Sequence, residues 1–309
     1  MAAPDLAVVY EHPAWFQPLF AALDRHGVNW TAISAGDHGF DPGGSPPPAP
    51  VIFNRIAMSA PQRESEHPIF YAQALFDHWA AAGARVVNGA ALTLDASKAR
   101  QLSLIRRLGL QTPETRVVHR PADLVRAAAA LPFPLLVKAD IGGAGAGIVR
   151  YDAPEQLAEA VAAGSTPRSV NNVLLLQAYV PPRDGRIIRV ETLAGRFLYA
   201  LAVETTGESF DLCPADACLV QPGRNAAAMT AFTPSPEVIA AVERIAQAAQ
   251  LDVGGVEYLV DDRDGTLRFY DVNALSNFVA NPVQVLGYDP HDRLVEHLLS
   301  FVADQRAAA

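Results

Sequence analysis

The first part of the chain alternates between short apolar runs and longer segments with helical spacing. The strand candidates are Leu6–Tyr10, Val28–Ile33, Val51–Phe53 and Arg85–Val87, and the helix candidates between them are Pro13–Arg25 and Pro68–Ala82. Strands that alternate with helices pair in parallel, because each helix returns the chain to the same edge of the sheet. The alternation predicts a parallel α/β lobe over residues 1–92, with the proline- and glycine-rich loop Asp41–Pro50 on its surface.

Farther along the chain, strand candidates follow one another more directly. They are Leu131–Lys138, Ile148–Tyr151, Val173–Val180, Ile187–Val203 with a turn at Ala194–Gly195, Val256–Val260 and Leu267–Val272. The helix candidates are Asp95–Leu108, Pro154–Ala163, Ser235–Leu251 and Asp289–Val302. For the first of these helices, Asp95 is the expected N-cap and Gly109 the expected C′ residue. The fold class is therefore α/β with an α+β C-terminal part.

Composition limits the partners of the chain. The formal net charge is −9 and the pI about 5.3, so the clustered basic surface that binds nucleic acid is not expected. The two cysteines, Cys213 and Cys218, fit neither a redox pair nor a zinc half-site. The start, Met1–Asp5, lacks the features of a signal peptide, and no apolar run approaches the ~20 residues that cross a bilayer. We expect a cytoplasmic protein that binds neither nucleic acid nor membranes.

A glycine-rich loop runs from Lys138 to Gly147, between two strand candidates. It lacks the Gly-Lys-Ser/Thr of a P-loop, and its glycines do not have the dinucleotide-binding spacing. One interpretation is a flap between antiparallel strands that folds over phosphates, with Lys138 beside them. The other is a hairpin tip without a ligand. The lysine at the strand end favours the flap, and we expect residues 141–147 to be mobile because nothing apolar anchors them.

An acidic hairpin is predicted near the C-terminus. Period-two alternation places Asp271 and Asn273 on one strand face, together with Leu267 and Phe269. A three-residue turn that ends at Gly265, in the left-handed conformation, would set Glu257 opposite Asp271. Facing carboxylates repel unless something compensates, and oxygen donors from Glu, Asp and Asn suit Mg²⁺ or Mn²⁺. The alternative is a set of solvated charges at a sheet end; the apolar neighbours on that face favour the metal site.

These pieces, in this order, resemble the ATP-grasp superfamily, in particular its glutathione-synthetase-like and RimK-like carboxylate–amine ligases. The likeness extends from Asn88 to the C-terminal helix. Asn88–Lys98 is similar to the segment that leads to the first lysine, and Lys138 with Gly142–Gly147 is similar to the second lysine and flap. The resemblance implies a two-lobed ATP-grasp fold after the N-terminal lobe, with a small lobe over 93–180 that carries the flap and a large lobe over 181–309 that carries the metal site.

The resemblance also implies roles for individual residues. The residues implied to contact ATP are Lys98, Lys138, Gly142, Gly143, Gly145, Gln177, Ala178, Tyr179, Val180 and Asp184, with the segment from Gln177 to Val180 as the adenine-binding hinge. Glu257, Asp271 and Asn273 would hold one or two Mg²⁺ (or Mn²⁺) ions. Arg189 would steady the transferred phosphoryl group or acyl phosphate. Lysines, an arginine and a metal are what phosphoryl transfer requires, because it depends on positioning and charge neutralisation.

The sequence departs from the family pattern at several positions. Ile187 replaces the acid of the family's Asp-x-Arg, so that a contact to Arg189 would be missing or supplied elsewhere, with Asp184 as the candidate. Ala178 stands where the hinge often carries an acidic residue. The order of the metal carboxylates, Glu257 and then Asp271, is the reverse of that in many relatives.

The expected function is an ATP-dependent ligase that joins a carboxylate to an amine through an acyl phosphate, releasing ADP and phosphate. A kinase on the same fold and a nucleotide-binding relative without turnover are the alternatives. The expected partners are small-molecule or peptide substrates, with a homodimer left open. Arg55, Ser276 and Asn277 are weaker candidates for substrate contacts, by position alone.

Overall fold

A parallel sheet forms the N-terminal part of the protein, as predicted. The computed structural model describes residues 3–63, 66–143, 145, 147–205 and 229–308, and both cysteines lie outside these ranges. The sheet consists of β1 (Leu6–Tyr10), β2 (Trp30–Ser34), β3 (Val51–Arg55) and β4 (Arg85–Val87), in the order β2-β1-β3-β4. Helices α1 (Gln17–Arg25) and α2 (Ile69–Ala81) connect its strands. The loop Asp41–Pro50 is largely exposed, which also confirms the prediction.

The predicted helix Asp95–Leu108 is two helices in the structure. The first, α3, spans Gly89–Asp95, and the second, α4, spans Lys98–Arg107. Ser97 caps α4, because its hydroxyl accepts a hydrogen bond from the Arg100 amide at 3.3 Å. The predicted capping role of Asp95 is therefore wrong: Asp95 is buried, and its carboxylate accepts the Ala274 amide at 3.1 Å. Gly109 does follow the helix with a positive φ of 77°.

A second, antiparallel sheet carries the glycine-rich loop. Its strands are β5 (Thr115–Val118), β6 (Leu135–Ala139), β7 (Ile148–Tyr151) and β8 (Leu174–Ala178), in the order β5-β8-β6-β7. Helices α5 (Leu124–Ala128) and α6 (Pro154–Ala163) cover one face, where their apolar residues form a common core with the strands. The loop joins β6 to β7, and these two strands are antiparallel, as the flap interpretation requires.

The third sheet is antiparallel and larger. Its strands are β9 (Arg186–Leu193), β10 (Arg196–Glu204), β11 (Met229–Phe232), β12 (Val253–Val260) and β13 (Leu267–Asn273), in the order β11-β10-β9-β12-β13. The turn between β9 and β10 lies at Ala194–Gly195, as predicted, and both residues have positive φ. One face packs against α4 and α7 (Pro236–Ala248).

The other face of the third sheet shares an apolar core with the N-terminal sheet. Leu6, Val8 and Phe53 of the N-terminal sheet belong to one buried cluster with Leu201 and Val203 of β10 and with the last helix. That helix, α9 (Pro290–Ala308), follows the short α8 (Pro282–Leu286) and contacts α1 and β3. The proposed divisions between residues 92 and 93 and between 180 and 181 stay a prediction. Among the described residues, no helix combines the length and the apolar composition that crossing a membrane requires.

Candidate functional site

The acidic hairpin has the predicted register, but for a different reason. Asp261 and Thr266 flank a loop that is one residue longer than predicted, since the Asp261 amide donates to the Thr266 carbonyl at 2.9 Å and Val260 pairs with Leu267. A β-bulge then adds one residue to β13 at Tyr270 and restores the pairing of Glu257 with Asp271. Gly265 has the expected positive φ, 78°.

Because of the same bulge, Leu267 and Phe269 lie on the opposite face of β13 from Asp271, contrary to the prediction. Phe269 and Val272 belong to one buried cluster, against which Leu267 also packs, so these side chains lie on the face that α4 and α7 cover. The prediction that Leu267 and Phe269 share a face with Asp271 is therefore wrong, because an inserted residue reverses the alternation. Asp271 and Asn273 do lie together: the Asn273 amide nitrogen donates to Asp271 Oδ2 at 3.2 Å.

Lys98 reaches this hairpin from the first turn of α4. Its Nζ lies 2.6 Å from Asp271 Oδ1. Burial acts to lower the pKa of Lys98, but the charge and hydrogen bond of Asp271, together with the charges of Glu257 and Asp95, outweigh it and the pKa is raised. The helix N-terminus is fixed by Asp140, whose carboxylate accepts the Ala99 amide at 2.8 Å. Because Asp140 follows β6 directly, it joins the start of α4 to the strand that carries Lys138.

Lys138 is buried near the end of β6. Its Nζ donates to Gln177 Oε1 at 2.6 Å and lies 5.6 Å from the ring centroid of Tyr270. Burial lowers the pKa of Lys138 to about 8, and the charge of Lys98 acts in the same direction. The structure thus brings both predicted phosphate-binding lysines close to the hairpin, Lys98 at Asp271 and Lys138 at Tyr270.

Arg189 lies on β9, in register with Glu257 of β12. Its Nη1 donates to Glu257 Oε1 at 3.1 Å, and its Nε donates to Glu191 Oε1 at 2.6 Å. Glu191 thus gives Arg189 a second carboxylate, although Ile187 replaces the acid of the family pattern. Asp184 does not supply this contact: it is exposed and pairs with Arg186 at 3.3 Å, so that suggestion is wrong. Charge-assisted bonds of this kind fix the orientation of a guanidinium.

The carboxylates of the cluster are not fully neutralised by the protein. Burial, followed by the charge of Asp271, raises the pKa of Glu257, while Arg189 acts in the opposite direction. Burial raises the pKa of Asp95 to about 7, and Asp271 again adds to the shift. Each shift has the direction expected of buried carboxyl groups close to another negative charge. A bound cation would relieve the repulsion.

The donor atoms suit Mg²⁺, although the protein alone does not complete a metal site. Among the residues that the structure describes, no group of three or more His, Cys, Asp or Glu side chains could hold a metal. Glu257, Asp271 and Asn273 supply only oxygen donors, from two carboxylates and an amide. Mg²⁺ commonly takes one or two carboxylates and completes its shell with phosphate oxygens and water. The residues therefore fit a metal that binds together with a nucleotide.

The glycine-rich loop begins with an apolar anchor that the sequence analysis did not predict. Ile141 is buried in the apolar cluster of the N-terminal sheet, beside Ile56 and Met58. The Gly143 carbonyl accepts the Gln62 side chain at 3.0 Å. The expectation that nothing apolar holds residues 141–147 is therefore wrong at Ile141. Gly142 and Gly143 follow this anchor, and Gly145 has a positive φ of 73°, which a glycine adopts without strain.

The predicted hinge, Gln177–Val180, overlaps the end of β8. Gln177 binds Lys138 and also donates to Thr115 Oγ1 at 3.0 Å. The backbone amides of Ala178 and Tyr179 donate to the carbonyls of Glu114 and Pro134, each at 2.9 Å. These two amides are thus committed to the second sheet, and a base at the hinge would use other backbone groups. Val180 is buried in the core shared with the N-terminal sheet.

The three weaker substrate candidates lie together. Arg55 is the last residue of β3, and its Nη2 donates to the Ser276 carbonyl and, at 2.8 Å, to Asn277 Oδ1. Ser276 and Asn277 follow Asn273 of the acidic hairpin. The segment after the hairpin is therefore tied to the carboxyl end of the N-terminal sheet, where ligands of parallel α/β sheets bind.

Sequence analysis missed several residues of the site. Glu191, Tyr270, Asp95 and Asp140 were not among the candidates. Glu191 could have been found, because period two places it on the same face of its strand as Arg189. The lysines carried a further signal: Lys98 and Lys138 are the only two lysines in the sequence.

A buried lysine (Lys138), a partly buried one (Lys98) and an arginine held by two carboxylates lie around the acidic hairpin, and a glycine-rich loop follows the strand that carries Lys138. This combination defines a class of nucleotide-binding protein that handles phosphoryl groups. The chain belongs to the RimK-like ATP-grasp family, whose domain profile matches residues 95–296. The predicted superfamily is thereby confirmed.

Individual relatives agree with this assignment. A probable alpha-L-glutamate ligase of Citrobacter koseri is 30% identical over 198 residues, which are 63% of this chain and 61% of that protein. The match thus spans about three fifths of the relative's length. The ATP-grasp ligase PsnB, complexed with a minimal precursor, Mg and ADP, superposes with a TM-score of 0.67 at 17% identity, covering 98% of this chain and 99% of PsnB. The VanG D-Ala:D-Ser ligase of Enterococcus faecalis gives 0.67 at 13% identity, covering 97% and 100%. These two similarities establish the fold.

Proposed function

We propose that the chain is an ATP-dependent ligase that forms an amide from a carboxylate and an amine. The observation that carries the proposal is the convergence of five charged side chains from α4 and two sheets on one cluster; they are Lys98, Lys138, Arg189, Glu257 and Asp271. A carboxylate oxygen attacks the γ-phosphorus of ATP, forming an acyl phosphate and ADP. The amine nitrogen then attacks the acyl carbon, the amine loses a proton, and phosphate leaves.

Each charged residue has a role in this scheme. The Lys98 and Lys138 ammonium groups would neutralise the phosphates of ATP, since a compact cation suits this position. Arg189 would hold the oxygens of the transferred phosphoryl group, in an orientation fixed by Glu191 and Glu257. Gly142, Gly143 and Gly145 would close over the phosphates with their backbone amides. The hinge from Gln177 to Val180 would hold the adenine. Asp184 is left out of the proposed ATP-binding residues, because it pairs with Arg186 and not with the charged cluster.

Glu257, Asp271 and Asn273 would hold Mg²⁺. When bound, the ion would supply positive charge that offsets the negative charge of the ATP phosphates. Lys98 donates to Asp271 Oδ1 at 2.6 Å, so its ammonium group would also help to hold this carboxylate in place.

The substrates are proposed from the relatives. The Citrobacter koseri protein is named for glutamate, and PsnB binds a precursor peptide. We therefore propose that an amino acid or a peptide supplies the amine or the carboxylate here. Amino acids and short peptides, with L-glutamate first, are the compounds to screen.

The test is amine-dependent release of ADP, followed by isotope transfer. A substrate carboxylate labelled with ¹⁸O should pass one labelled oxygen to the released phosphate, because an acyl phosphate is formed and then cleaved at its carbonyl carbon. A kinase would instead yield a phosphorylated product without free phosphate. ATP binding without ADP release across the whole panel would indicate a relative without turnover, and would overturn the proposal.

A further inference from the structure

Asp140 is a buried carboxylate that is held by uncharged groups. The residue is 1% exposed and directly follows β6. Its Oδ1 accepts hydrogen bonds from the Ala99 amide at 2.8 Å and from the Ser97 hydroxyl at 3.2 Å, and its Oδ2 accepts from the Asn171 side-chain amide at 2.8 Å. Among the described residues, none of these partners carries a charge. Because burying a carboxylate without an opposite charge is costly, we expect this one to do more than add stability.

The backbone of Asp140 makes two further hydrogen bonds. Its carbonyl accepts the Lys98 amide at 3.2 Å, and its amide donates to the Val173 carbonyl at 3.1 Å. Three consecutive residues at the start of α4, 97–99, are therefore bonded to this one residue. Lys98 is the first residue of α4, so its position depends directly on Asp140.

Asp140 also relates the two lysines of the candidate site to each other. Ser97 already caps α4 by accepting the Arg100 amide at 3.3 Å, so the helix has an N-cap without Asp140. What Asp140 adds is a connection across the fold, because Lys138 lies two residues earlier in the chain, on β6. Asp140 thereby fixes the start of α4, which carries Lys98, against the strand that carries Lys138.

The start of the glycine-rich loop is held by the same set of hydrogen bonds. The Ile141 amide donates to the Ser169 hydroxyl at 3.2 Å, and this hydroxyl donates to Asn171 Oδ1 at 2.7 Å. Asn171 Oδ1 also accepts the Val173 amide at 3.1 Å. Asn171 therefore joins Asp140 on one side to Ile141, through Ser169, on the other.

We propose that Asp140 is a positioning residue for ATP: together with Asn171, it holds Lys98, Lys138 and the glycine-rich loop in a fixed arrangement around the phosphates. This inference rests on the proposed function and adds to it a residue that need not touch the nucleotide. The competing explanation is that Asp140 stabilises the start of α4 and nothing more.

The first test is Asp140→Asn. An asparagine side chain has one oxygen and one NH₂ group, so either the Ala99 amide or the Asn171 side-chain amide would then face another donor. The start of α4, or the segment around Asn171, should therefore move away from residue 140. We expect the dissociation constant of a non-hydrolysable ATP analogue with Mg²⁺, measured by calorimetry, to increase at least about tenfold, because a charge-assisted contact to phosphate is displaced.

A reciprocal exchange tests the hydrogen bond itself. Asn171→Asp alone places two carboxylates side by side and should weaken nucleotide binding to a similar extent. In the double variant Asp140→Asn/Asn171→Asp, the amide at 140 can donate to the carboxylate at 171, while each remaining oxygen keeps its donors. The dissociation constant should return to within about threefold of the wild-type value, since the two changes compensate each other. Such a rescue would identify the bond, and not the charge of either residue alone, as the cause.

The matched control is Asp252→Asn. Asp252 is also a largely buried carboxylate that joins distant segments, since it accepts the Asn88 amide at 2.7 Å and pairs with Arg85 of β4 at 2.5 Å. It is bonded to neither lysine within the described part of the chain. Asp252→Asn should lower the free energy of unfolding in urea but change the dissociation constant less than about twofold. The comparison separates positioning from a general loss of stability.

A second variant covers the case in which Asp140→Asn does not fold. Asn171→Ala leaves the carboxylate of Asp140 on α4 and removes only its bond to the loop before β8. We expect the dissociation constant of the ATP analogue to increase about fivefold, as for the loss of one hydrogen bond to a charged group.

The outcomes distinguish this inference from the proposed function. If Asp140→Asn and Asn171→Ala bind the analogue as tightly as the wild type, or if the double variant binds no better than Asp140→Asn, the inference is overturned. Amine-dependent ADP release by the wild type would then still support the ligase. If the wild type binds the analogue but releases no ADP with any amine, the ligase proposal fails, and the dissociation constants still decide the role of Asp140. If the wild type binds no nucleotide, both fail.

Discussion

Lysine is a rare residue in this protein, and both copies lie in the candidate site. The sequence has 24 lysines and arginines, and all of them except Lys98 and Lys138 are arginines. Arginine and lysine differ at a buried site, because a guanidinium is planar and forked whereas an ammonium is compact and shifts its pKa when buried. The use of lysine at positions 98 and 138, in a chain that uses arginine elsewhere, points to a requirement for the ammonium group.

The first prediction concerns the charge of Lys138. Its pKa of about 8 lies below the ordinary 10.5, so its charge is lost as the pH rises through about 8. Between these two values the unfolded chain binds more protons, and the contribution of Lys138 to the free energy of unfolding therefore increases with pH. ATP affinity should decrease over the same range, because the neutral amine no longer attracts phosphate.

Selective labelling can measure this pKa. Protein labelled with ¹³C at lysine Cε should give two NMR signals, one titrating near pH 8 and moving to higher pH when ATP binds. Lys138→Met assigns the signal by its loss, and should reduce kcat/KM about a hundredfold or more. Two signals that both titrate near 10.5 would contradict the prediction.

The second prediction concerns Glu191 as a positioning residue for Arg189. Glu191→Gln keeps the shape but loses the charge that holds Arg189 Nε at 2.6 Å. We expect kcat to decrease about tenfold to a hundredfold while KM for ATP changes little, because Arg189 acts on the transferred group. Glu243→Gln is the matched control, since Glu243 pairs with Arg196 at the surface, at 3.0 Å. Equal effects of the two changes would refute a specific role for Glu191.

At the scale of elements, contacts between distant segments decided where helices and strands begin and end. The helical pattern of Asp95–Leu108 is interrupted because Asp95 is drawn to the backbone of Ala274, beyond β13. The α4 helix is held against the same strand by Gln101, whose side chain accepts the Val272 amide at 3.1 Å and donates to the Val272 carbonyl at 2.9 Å. Ile141, near the start of the glycine-rich loop, is likewise buried in the apolar cluster of the N-terminal sheet.

The third prediction concerns that anchor. Ile141→Ala should loosen the start of the glycine-rich loop, because a buried side chain loses most of its apolar contacts. We expect faster hydrogen exchange at Ile141, Gly142 and Gly143, by about tenfold, together with an increased KM for ATP. Val149→Ala, on β7, is the control, since Val149 is 39% exposed. Unchanged exchange at the three residues would show that the loop start does not depend on the apolar anchor.

At the scale of the whole molecule, the N-terminal sheet and the third sheet are built around one core. Asn88, fully buried and with a φ of 55°, lies where they meet. Its side chain donates to the carbonyls of Val253 and Ala274, at 2.5 and 2.7 Å, and accepts the Asp252 amide at 2.8 Å. Its own carbonyl accepts from Asn54 of β3 at 3.1 Å. One residue thereby connects β3, β12 and the end of β13.

The fourth prediction follows from this connection. Asn88→Ala should reduce the free energy of unfolding by roughly 2–4 kcal/mol, because several buried backbone groups lose their partners. Urea unfolding should still show one transition, since the shared core couples the two sheets. The exposed Asn29, which donates to the Ala3 carbonyl at 2.7 Å, provides the control Asn29→Ala, with a change within about 1 kcal/mol. Separate transitions in the wild type would contradict the coupling.

The amino-acid sequence by itself determined the features that depend on local order. Strand–helix alternation gave the parallel sheet, and the glycine loop between strand signals gave the antiparallel flap. The ordered lysines, arginine and acidic hairpin indicated the family. The periodicity of apolar residues and the order of the motifs along the chain indicate these features directly, because backbone geometry repeats over a few residues.

Only the tertiary structure decided the features that depend on contacts between distant residues. The loop length and the bulge at Tyr270 each shift the hairpin register by one residue, and only together do they place Glu257 opposite Asp271. The carboxylate partner of Arg189 proved to be Glu191 rather than Asp184, because burial and strand pairing select a partner that charge alone does not. Only the tertiary structure likewise shows that Arg55 Nε and Nη1 and Glu191 Oε2 are buried without a partner among the described residues, since burial depends on residues that are distant in the sequence.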